Sequence, residues 1–312
     1  MAQKKTTLLR RRIEKEKGLW NPLCFDCVSA KIFEKAGADL IAISGFGISM
    51  SLLGLPDMGF ISLPELAMVT RFIANSVETP VIADGDTGFG NALGVLRTTR
   101  EIIQAGAAAM LIEDQLAPKR CGHIAGKQVI PLEEAVGKYR AAVEVRNELD
   151  PDFVIVARTD ARGAVGGSLE EAIVRANAYI EAGADVAFLE AIPSKEELRR
   201  VVREVNGPVL YNMVGISPII PFSELKEIGV SIIGFGIAQL AAASAMWDYA
   251  HNLKKLGIEA QIEFLQRMKG HPMEMEAFNV FAGFSKMKAM EEKFLPKEEV
   301  ERKYQSTLGF KP

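Results

Sequence analysis

Cysteine, histidine and long apolar runs are all scarce in this chain of 312 residues. The three cysteines, Cys24, Cys27 and Cys121, cannot all pair with one another, which suits a reducing cytoplasm. Cys24-Phe25-Asp26-Cys27 is formally a C-x-x-C, but no second cysteine pair exists, and His251 and His271 lie far downstream. A zinc or redox centre therefore lacks its partners, and the segment reads as a strand end turning into a helix. No apolar run reaches the length of a membrane span, and the N-terminus lacks the apolar core of a secretion signal, so the expected location is the cytoplasm. An excess of positive charge is lacking as well. The net charge is −3, and the short Lys4-Lys5 and Arg10-Arg11-Arg12 cluster suits a solvated amphipathic helix. Nucleic acid is not an expected partner.

What the chain does have is alternation. Eight short, near-continuously apolar runs recur: Pro22–Phe25, which is weak, then Leu40–Ser44, Val81–Asp84, Ala109–Glu113, Val154–Arg158, Val186–Glu190, Val209–Asn212 and Ile232–Phe235. Runs of this kind suit strands buried on both faces. Segments of helical period separate them, among them Leu63–Asn75, Ala92–Ala105, Glu133–Glu148, Leu169–Glu181 and Lys195–Glu204. Gly37, Gly106 and Gly183 act as helix stops before the next strand. Eight alternations without a composition break predict an α/β chain folded as a (β/α)8 TIM barrel over about residues 20–250. A doubly wound sheet would place its glycine-rich phosphate turn after the first strand, whereas Gly85-Asp86-Thr87-Gly88-Phe89-Gly90 follows the third. That segment reads as a tight βα loop. Thr6–Lys17 is an extra N-terminal helix. Residues 251–312 form a C-terminal helical extension of the same domain, with helices over Ile258–Lys269, Glu274–Lys293 and Lys297–Gln305. Its Phe278, Val280, Phe281, Phe284 and Met287 face is strongly apolar and predicts oligomerisation.

Barrel chemistry sits at the C-terminal ends of the strands. Here those ends carry Ser44-Gly45, Asp84-Gly85-Asp86, Glu113-Asp114, Arg158-Thr159-Asp160, Glu190 and Asn212. Asp84, Asp86 and Glu113 on neighbouring strands would repel one another unless a cation lay between them. An all-oxygen set suits Mg2+, or Mn2+, rather than zinc. Arg158 either neutralises this rim or grips a substrate carboxylate in a bidentate fork; the second is favoured. Glu190 reads as a hydrogen-bonding orienter, with base or strand cap as alternatives. Lys119-Arg120-Cys121-Gly122-His123 places a thiol among two cations and a histidine, which predicts a lowered thiol pKa. Ala117-Pro118 and Gly122 argue for a mobile loop, an active-site lid.

With these residues in hand the chain resembles the isocitrate lyase/phosphoenolpyruvate mutase superfamily. The matching motifs are Ile43-Ser44-Gly45, Leu55-Pro56-Asp57, Ala83-Asp84-Gly85-Asp86-Thr87-Gly88-Phe89-Gly90, Ile112-Glu113-Asp114-Gln115, Lys119-Arg120-Cys121-Gly122-His123, Ala157-Arg158-Thr159-Asp160 and Glu190. The cysteine loop is similar to that of the carbon–carbon lyases; members acting on phosphonates usually lack it. The resemblance implies C-terminal helices swapped between paired subunits, in a homotetramer of two such dimers. It implies Mg2+ held by Asp84, with Asp86 and Glu113 reaching it partly through water and Asp57 near the metal shell. A 2-oxo acid would lie on the metal against Ser44, Gly45 and Arg158. The other fragment would contact Cys121, Gly122, His123, Glu190 and Asn212.

The implied reaction is a retro-aldol cleavage of a 2-hydroxy dicarboxylate. The hydroxyl proton leaves, the C2–C3 bond breaks, and the departing carbanion spreads into its own carboxylate. His123, Lys119 and Asn212 would stabilise that dianion, and Cys121 would protonate its carbon. Three departures bear on the substrate. Methylisocitrate-cleaving members place an arginine just after strand eight, a hydroxyl residue two positions beyond the asparagine and a second glycine after Ser-Gly. This chain has Gly236-Ile237-Ala238-Gln239-Leu240-Ala241 without a cation, Val214, and Phe46, which joins the substrate-binding set. A pocket one charge poorer and more apolar favours a dicarboxylate with alkyl substituents. Within the superfamily this points to 2,3-dimethylmalate, giving pyruvate and propionate, ahead of methylisocitrate cleavage or oxaloacetate hydrolysis.

Overall fold

A computed structural model describes residues 3–305, 308 and 309, and the chain divides into two compact units, Met1–Leu240 and Ala241–Pro312. In the first unit eight parallel strands close in chain order into a barrel. They are β1 (Leu19–Cys24), β2 (Ile41–Ile43), β3 (Val81–Asp84), β4 (Ala109–Glu113), β5 (Val154–Thr159), β6 (Val186–Leu189), β7 (Val209–Asn212) and β8 (Ile232–Ile237). Closure runs through Leu19↔Ile232, Trp20↔Ile233 and Asn21↔Gly234, so no strand edge is left unpaired. β1 begins earlier than its sequence suggests. The β1–β8 register shifts between Asn21 and Leu23, where Pro22 has no N–H to give the ladder. This irregularity hides the strand from an apolar-run reading.

Two facts aim the barrel. Its interior is filled by Leu19, Leu40, Ile82, Val154, Val156, Val186, Phe188, Leu210 and Ile232, and Leu9 and Ile13 of α1 (Lys5–Lys15) pack onto this cluster. Thr6, Leu9 and Ile13 are the buried residues of that helix, so α1 covers the end where the strands start. Arg10 fastens it, with Nη1 2.9 Å from Asp185 Oδ1 and Nη2 donating to the Phe153 carbonyl. The opposite mouth, where strands end in polar residues, stays open. Helices ring the barrel, with side-chain N-caps on α2 (Cys27–Lys35) from Asp26, α5 (Ala92–Gln104) from Asn91, α7 (Leu169–Glu181) from Ser168 and α8 (Lys195–Glu204) from Ser194, while at α4 (Leu63–Ser76) Glu65 Oε2 accepts the Ser62 N–H at 2.7 Å. Each cap satisfies an N–H that the first turn leaves free. Short α3 (Gly45–Ile48) follows β2, while α6 (Leu132–Leu149) and α9 (Phe222–Ile228) complete the ring.

α10 (Ala238–Leu256) leads into the second unit, with α11 (Ile258–Met268), α12 (Met275–Ala282), α13 (Phe284–Phe294) and α14 (Lys297–Gln305). The helix expected over 274–293 is broken at Gly283, whose φ of 106° is left-handed and ends α12. α12 and α13 bury no residue, and Phe278, Val280, Phe284 and Met287 are exposed. Among the described residues no helix is long and apolar enough to cross a membrane.

Replacing Leu9, which is fully buried, by alanine is expected to cost about 2–5 kcal/mol of stability. Chemical denaturation measures this; an unchanged midpoint would show that α1 does not complete the barrel core.

Candidate active site

A cavity of about 280 Å³ opens at the C-terminal mouth, a size for a small metabolite. Ser44, Gly45, Phe46, Asp57, Asp84, Cys121, Gly122, His123, Arg158, Glu190 and Asn212 all line it. Asp86, Glu113 and Lys119 do not; they are buried outside the lining. Asn21 and Gln239 also line it, each with a carboxamide oxygen that has no partner.

The acidic side is built from β2, β3 and β4. Ser44 Oγ accepts from Gly47 N–H at 3.0 Å, and Gly45 N–H donates to Asp84 Oδ2 at 3.1 Å. Asp84 Oδ1 accepts the Asp86 N–H at 3.2 Å. Asp86 has φ 47°, a left-handed backbone that costs energy in a non-glycine residue and clusters at functional sites. Lys119 Nζ lies 2.6 Å from Asp57 Oδ1 and 2.7 Å from Asp86 Oδ1. Lys119 is thus turned into the carboxylates, not toward the cavity where a departing dianion would form. Burial works against its charge, but Asp86, Glu113, Asp84 and Asp57 outweigh burial and raise its pKa well above the ordinary value. Burial pushes Asp86 up to about 6, with Lys119 opposing and Asp84 and Asp57 adding to the rise. Burial also lifts Glu113 well above the carboxylate range, against Arg158 and Lys119.

Among the described residues no three acidic, histidine or cysteine side chains are gathered closely enough to hold a metal by themselves. The donor chemistry nevertheless suits a hard divalent cation. All three carboxylates offer oxygen, and the buried Glu113 Oε1 has no hydrogen-bond partner. Carboxylates too far apart for direct convergence match an ion that keeps several of its waters.

Arg158 is the hub of the opposite side. Its Nε and Nη2 fork onto Asp160 Oδ2 and Oδ1 at 2.9 and 3.0 Å. Nη1 lies 3.1 Å from Glu190 Oε2, and Nε 3.3 Å from Glu113 Oε2. The bidentate fork expected for a substrate carboxylate is therefore spent on Asp160. Burial alone would raise Asp160, yet Arg158 and Lys127 bring its pKa below the ordinary value. Gly122 passes directly over this hub. A Cβ there would stand 2.2 Å from Arg158 Nη2 and 2.5 Å from Glu190 Cγ, so no larger residue fits.

The cysteine loop is tied at its base and its thiol sits in a setting other than the electropositive one expected of it. Antiparallel pairing of Gln115 with Val129 closes its base, and Leu116 N–H donates to the Gln128 carbonyl at 2.8 Å. Cys121 N–H donates to the Asp57 carbonyl at 3.0 Å. Burial raises the Cys121 pKa, overriding Arg158 and Lys119, where adjacency in sequence had predicted a lowering. A protonated thiol is the form that a proton donor needs. His123 Nε2 lies 3.4 Å from Glu190 Oε1; burial lowers its pKa despite that carboxylate. It stands as a neutral donor, not a fixed positive charge. Lys127, buried with its Nζ 3.0 Å from Asp160 Oδ1, carried no motif that marked it in the sequence.

A family model described as phosphoenolpyruvate phosphomutase matches residues 9–254. The chain is 41% identical over 249 residues to 2,3-dimethylmalate lyase of Eubacterium barkeri, covering 79% of this chain and 85% of that protein. It is 45% identical over 238 residues to 2-methylisocitrate lyase of Aeropyrum pernix, covering 76% and 75%. Among solved structures, a trigonal crystal form of 2,3-dimethylmalate lyase superposes with a TM-score of 0.88 at 34% identity, covering 99% of this chain and 100% of that chain. Phosphonopyruvate hydrolase, solved with oxalate and Mg2+, superposes at 0.82 with 28% identity, covering 94% and 100%.

Alkylation of Cys121 by iodoacetamide is expected to rise with pH to a midpoint above that of an exposed cysteine, because burial disfavours the thiolate. A peptide-resolved rate profile that turns over below the free-cysteine value would contradict the geometry.

Proposed function

The chain belongs to the phosphoenolpyruvate mutase/isocitrate lyase superfamily, and within it we propose a Mg2+-dependent carbon–carbon lyase that cleaves 2,3-dimethylmalate to pyruvate and propionate. One observation carries the choice of substrate: among the described residues Arg158 is the only lysine or arginine lining the cavity, and Asp160 and Glu190 already share it. Around it stand Phe46, Val214, Ile237 and Gln239. A third substrate carboxylate would meet apolar surface and a neutral amide, and burying an unpaired charge is costly. Methyl substituents suit the same wall.

Bound Mg2+, carried by Asp84 and reached by Asp86 and Glu113 partly through water, would supply the positive charge that draws electrons onto the oxygens of the 2-oxo acid. The chain's own residues divide the remaining work. Ser44, the Gly45 backbone and Arg158 orient the 2-oxo acid half. Asn212, His123 and Glu190 face the other half, with His123 as a neutral donor. As the 2-hydroxyl gives up its proton to solvent, its O–H electron pair forms the new carbonyl, the C2–C3 bond breaks, and that bond's pair moves into the adjacent carboxylate; the proton later regained by the thiolate balances the one lost here. The Cys121 thiol gives its proton to C3, which yields propionate and leaves a thiolate to be reprotonated. Gly122 lets the loop lie directly on Arg158 and Glu190, which keeps water from the carbanion. The exposed apolar residues of α12 and α13 support the helix-swapped homotetramer as the working assembly, and the scarcity of cysteine supports a cytoplasmic setting.

The identity to 2-methylisocitrate lyase keeps methylisocitrate as the second reading. Assayed with Mg2+, the protein is expected to release pyruvate from 2,3-dimethylmalate with a kcat/KM at least about tenfold above that for methylisocitrate, roughly the discrimination one misfit group gives. Turnover of methylisocitrate with dimethylmalate inert reverses the assignment, and oxalate plus acetate from oxaloacetate moves it to a hydrolase. Cys121→Ser is expected to lose about 100-fold or more in kcat while keeping Mg2+-dependent oxalate binding. Retained turnover in that variant removes the thiol from the mechanism.

A further inference from the structure

The backbone around Cys121 is gripped from both sides by two buried side chains, and neither grip involves the sulfur. On the N-terminal side, Gln115 presents its carboxamide to Arg120. Gln115 Nε2 donates to the Arg120 carbonyl at 2.9 Å, and Gln115 Oε1 accepts the Arg120 N–H at 3.0 Å. On the C-terminal side, Lys127 Nζ donates to the Gly122 carbonyl and to Asp160 Oδ1. Gln115 and Lys127 are 1% and 3% exposed, so both groups have left water to make these contacts. A buried ammonium is tolerated only with such partners. Gln115 sits where the loop pairs with Val129, and the Lys127 carbonyl accepts the Val165 N–H at 2.9 Å, so both side chains reach out from anchored backbone.

Asp160 makes this more than local packing. Its Oδ1 takes Lys127 Nζ at 3.0 Å and Arg158 Nη2 at 3.0 Å. The carbonyl beside Cys121 and the guanidinium beneath it thereby share one carboxylate through Lys127.

We propose that Gln115 and Lys127 are positioning residues that form a two-point clasp, seating the Cys121 thiol over Arg158. The inference rests on the reading of Cys121 as the proton donor of the lyase. With the clasp closed, the thiol is held at one distance from the carbanion carbon. With it opened, the substrate still finds Arg158 and the metal side, but protonation becomes slow. The defect therefore belongs to kcat and not to KM.

The test uses Lys127→Met and Gln115→Met in the full-length protein. It reads peptide-resolved iodoacetamide alkylation, with Cys27 as the internal reference, and steady-state kinetics on 2,3-dimethylmalate. In both variants Cys121 alkylation is expected to rise about fivefold or more over Cys27, as a loop freed to open exposes its thiol. In both, kcat is expected to fall about ten- to a hundredfold with KM within about threefold, the signature of lost orientation. Lys127→Arg, which keeps a donor for Gly122 and a cation for Asp160, should restore part of kcat. Cys121 alkylation unchanged in both methionine variants, or a loss carried by KM alone, overturns the proposal. If Lys127→Met fails to fold, Gln115→Met decides alone, since it strands no buried charge. If the wild type does not turn over 2,3-dimethylmalate, the functional reading fails while alkylation still judges the clasp.

Discussion

Burial of like charge at the mouth of a closed barrel is the constraint that organises everything else here. Asp57, Asp84, Asp86, Glu113, Asp160 and Glu190 crowd against Lys119, Lys127 and Arg158. Carboxylates outnumber cations, and most of the set is hidden from water. Such an arrangement relaxes by taking up protons or by taking up a metal. The upward displacement of Asp86 and Glu113 is the first response, and the divalent ion proposed for this site would be the second.

The same constraint sets the state of the loop. Lys119 lies in the loop's own sequence but spends its charge on Asp57 and Asp86, while the Arg120 side chain is exposed. Lys119 and Arg158 still favour a thiolate, but burial outweighs them and decides the thiol's protonation. A reactive thiolate would suit a nucleophile. A neutral thiol and a neutral imidazole, closed over an arginine by a glycine with no room for a side chain, suit the delivery of a proton to carbon.

Much of this was legible in the chain because the barrel imposes a strict order. Five of the eight apolar runs end in a residue that lines the mouth, so Ser44, Asp84, Arg158, Glu190 and Asn212 declared themselves by position alone. β1 was half-hidden because Trp20, Asn21 and Pro22 interrupt the apolar run, and the barrel absorbs the proline in a register shift. The sign of the Cys121 shift was illegible because neighbours in sequence are not neighbours in space. Lys119 was expected to face the departing dianion, but Asp57 and Asp86 hold it instead. Lys127 gave no signal, and Gln115 stood only at the end of the Ile112-Glu113-Asp114-Gln115 motif without a role. Their importance lies in contacts to backbone carbonyls and N–H groups, which no side-chain motif records. In the tail, Gly283 breaks one apolar face into two helices, which the periodicity on either side conceals.

The buried acids are proposed to be poised for a divalent cation. Calorimetric titration of the metal-free protein with Mg2+, run near pH 6 in two buffers of different ionisation enthalpy, tests it directly, because Asp86 titrates at about 6. The account predicts one ion per chain, bound with release of protons into the buffer as the acids surrender them. Absence of binding, or a heat identical in both buffers, would contradict it.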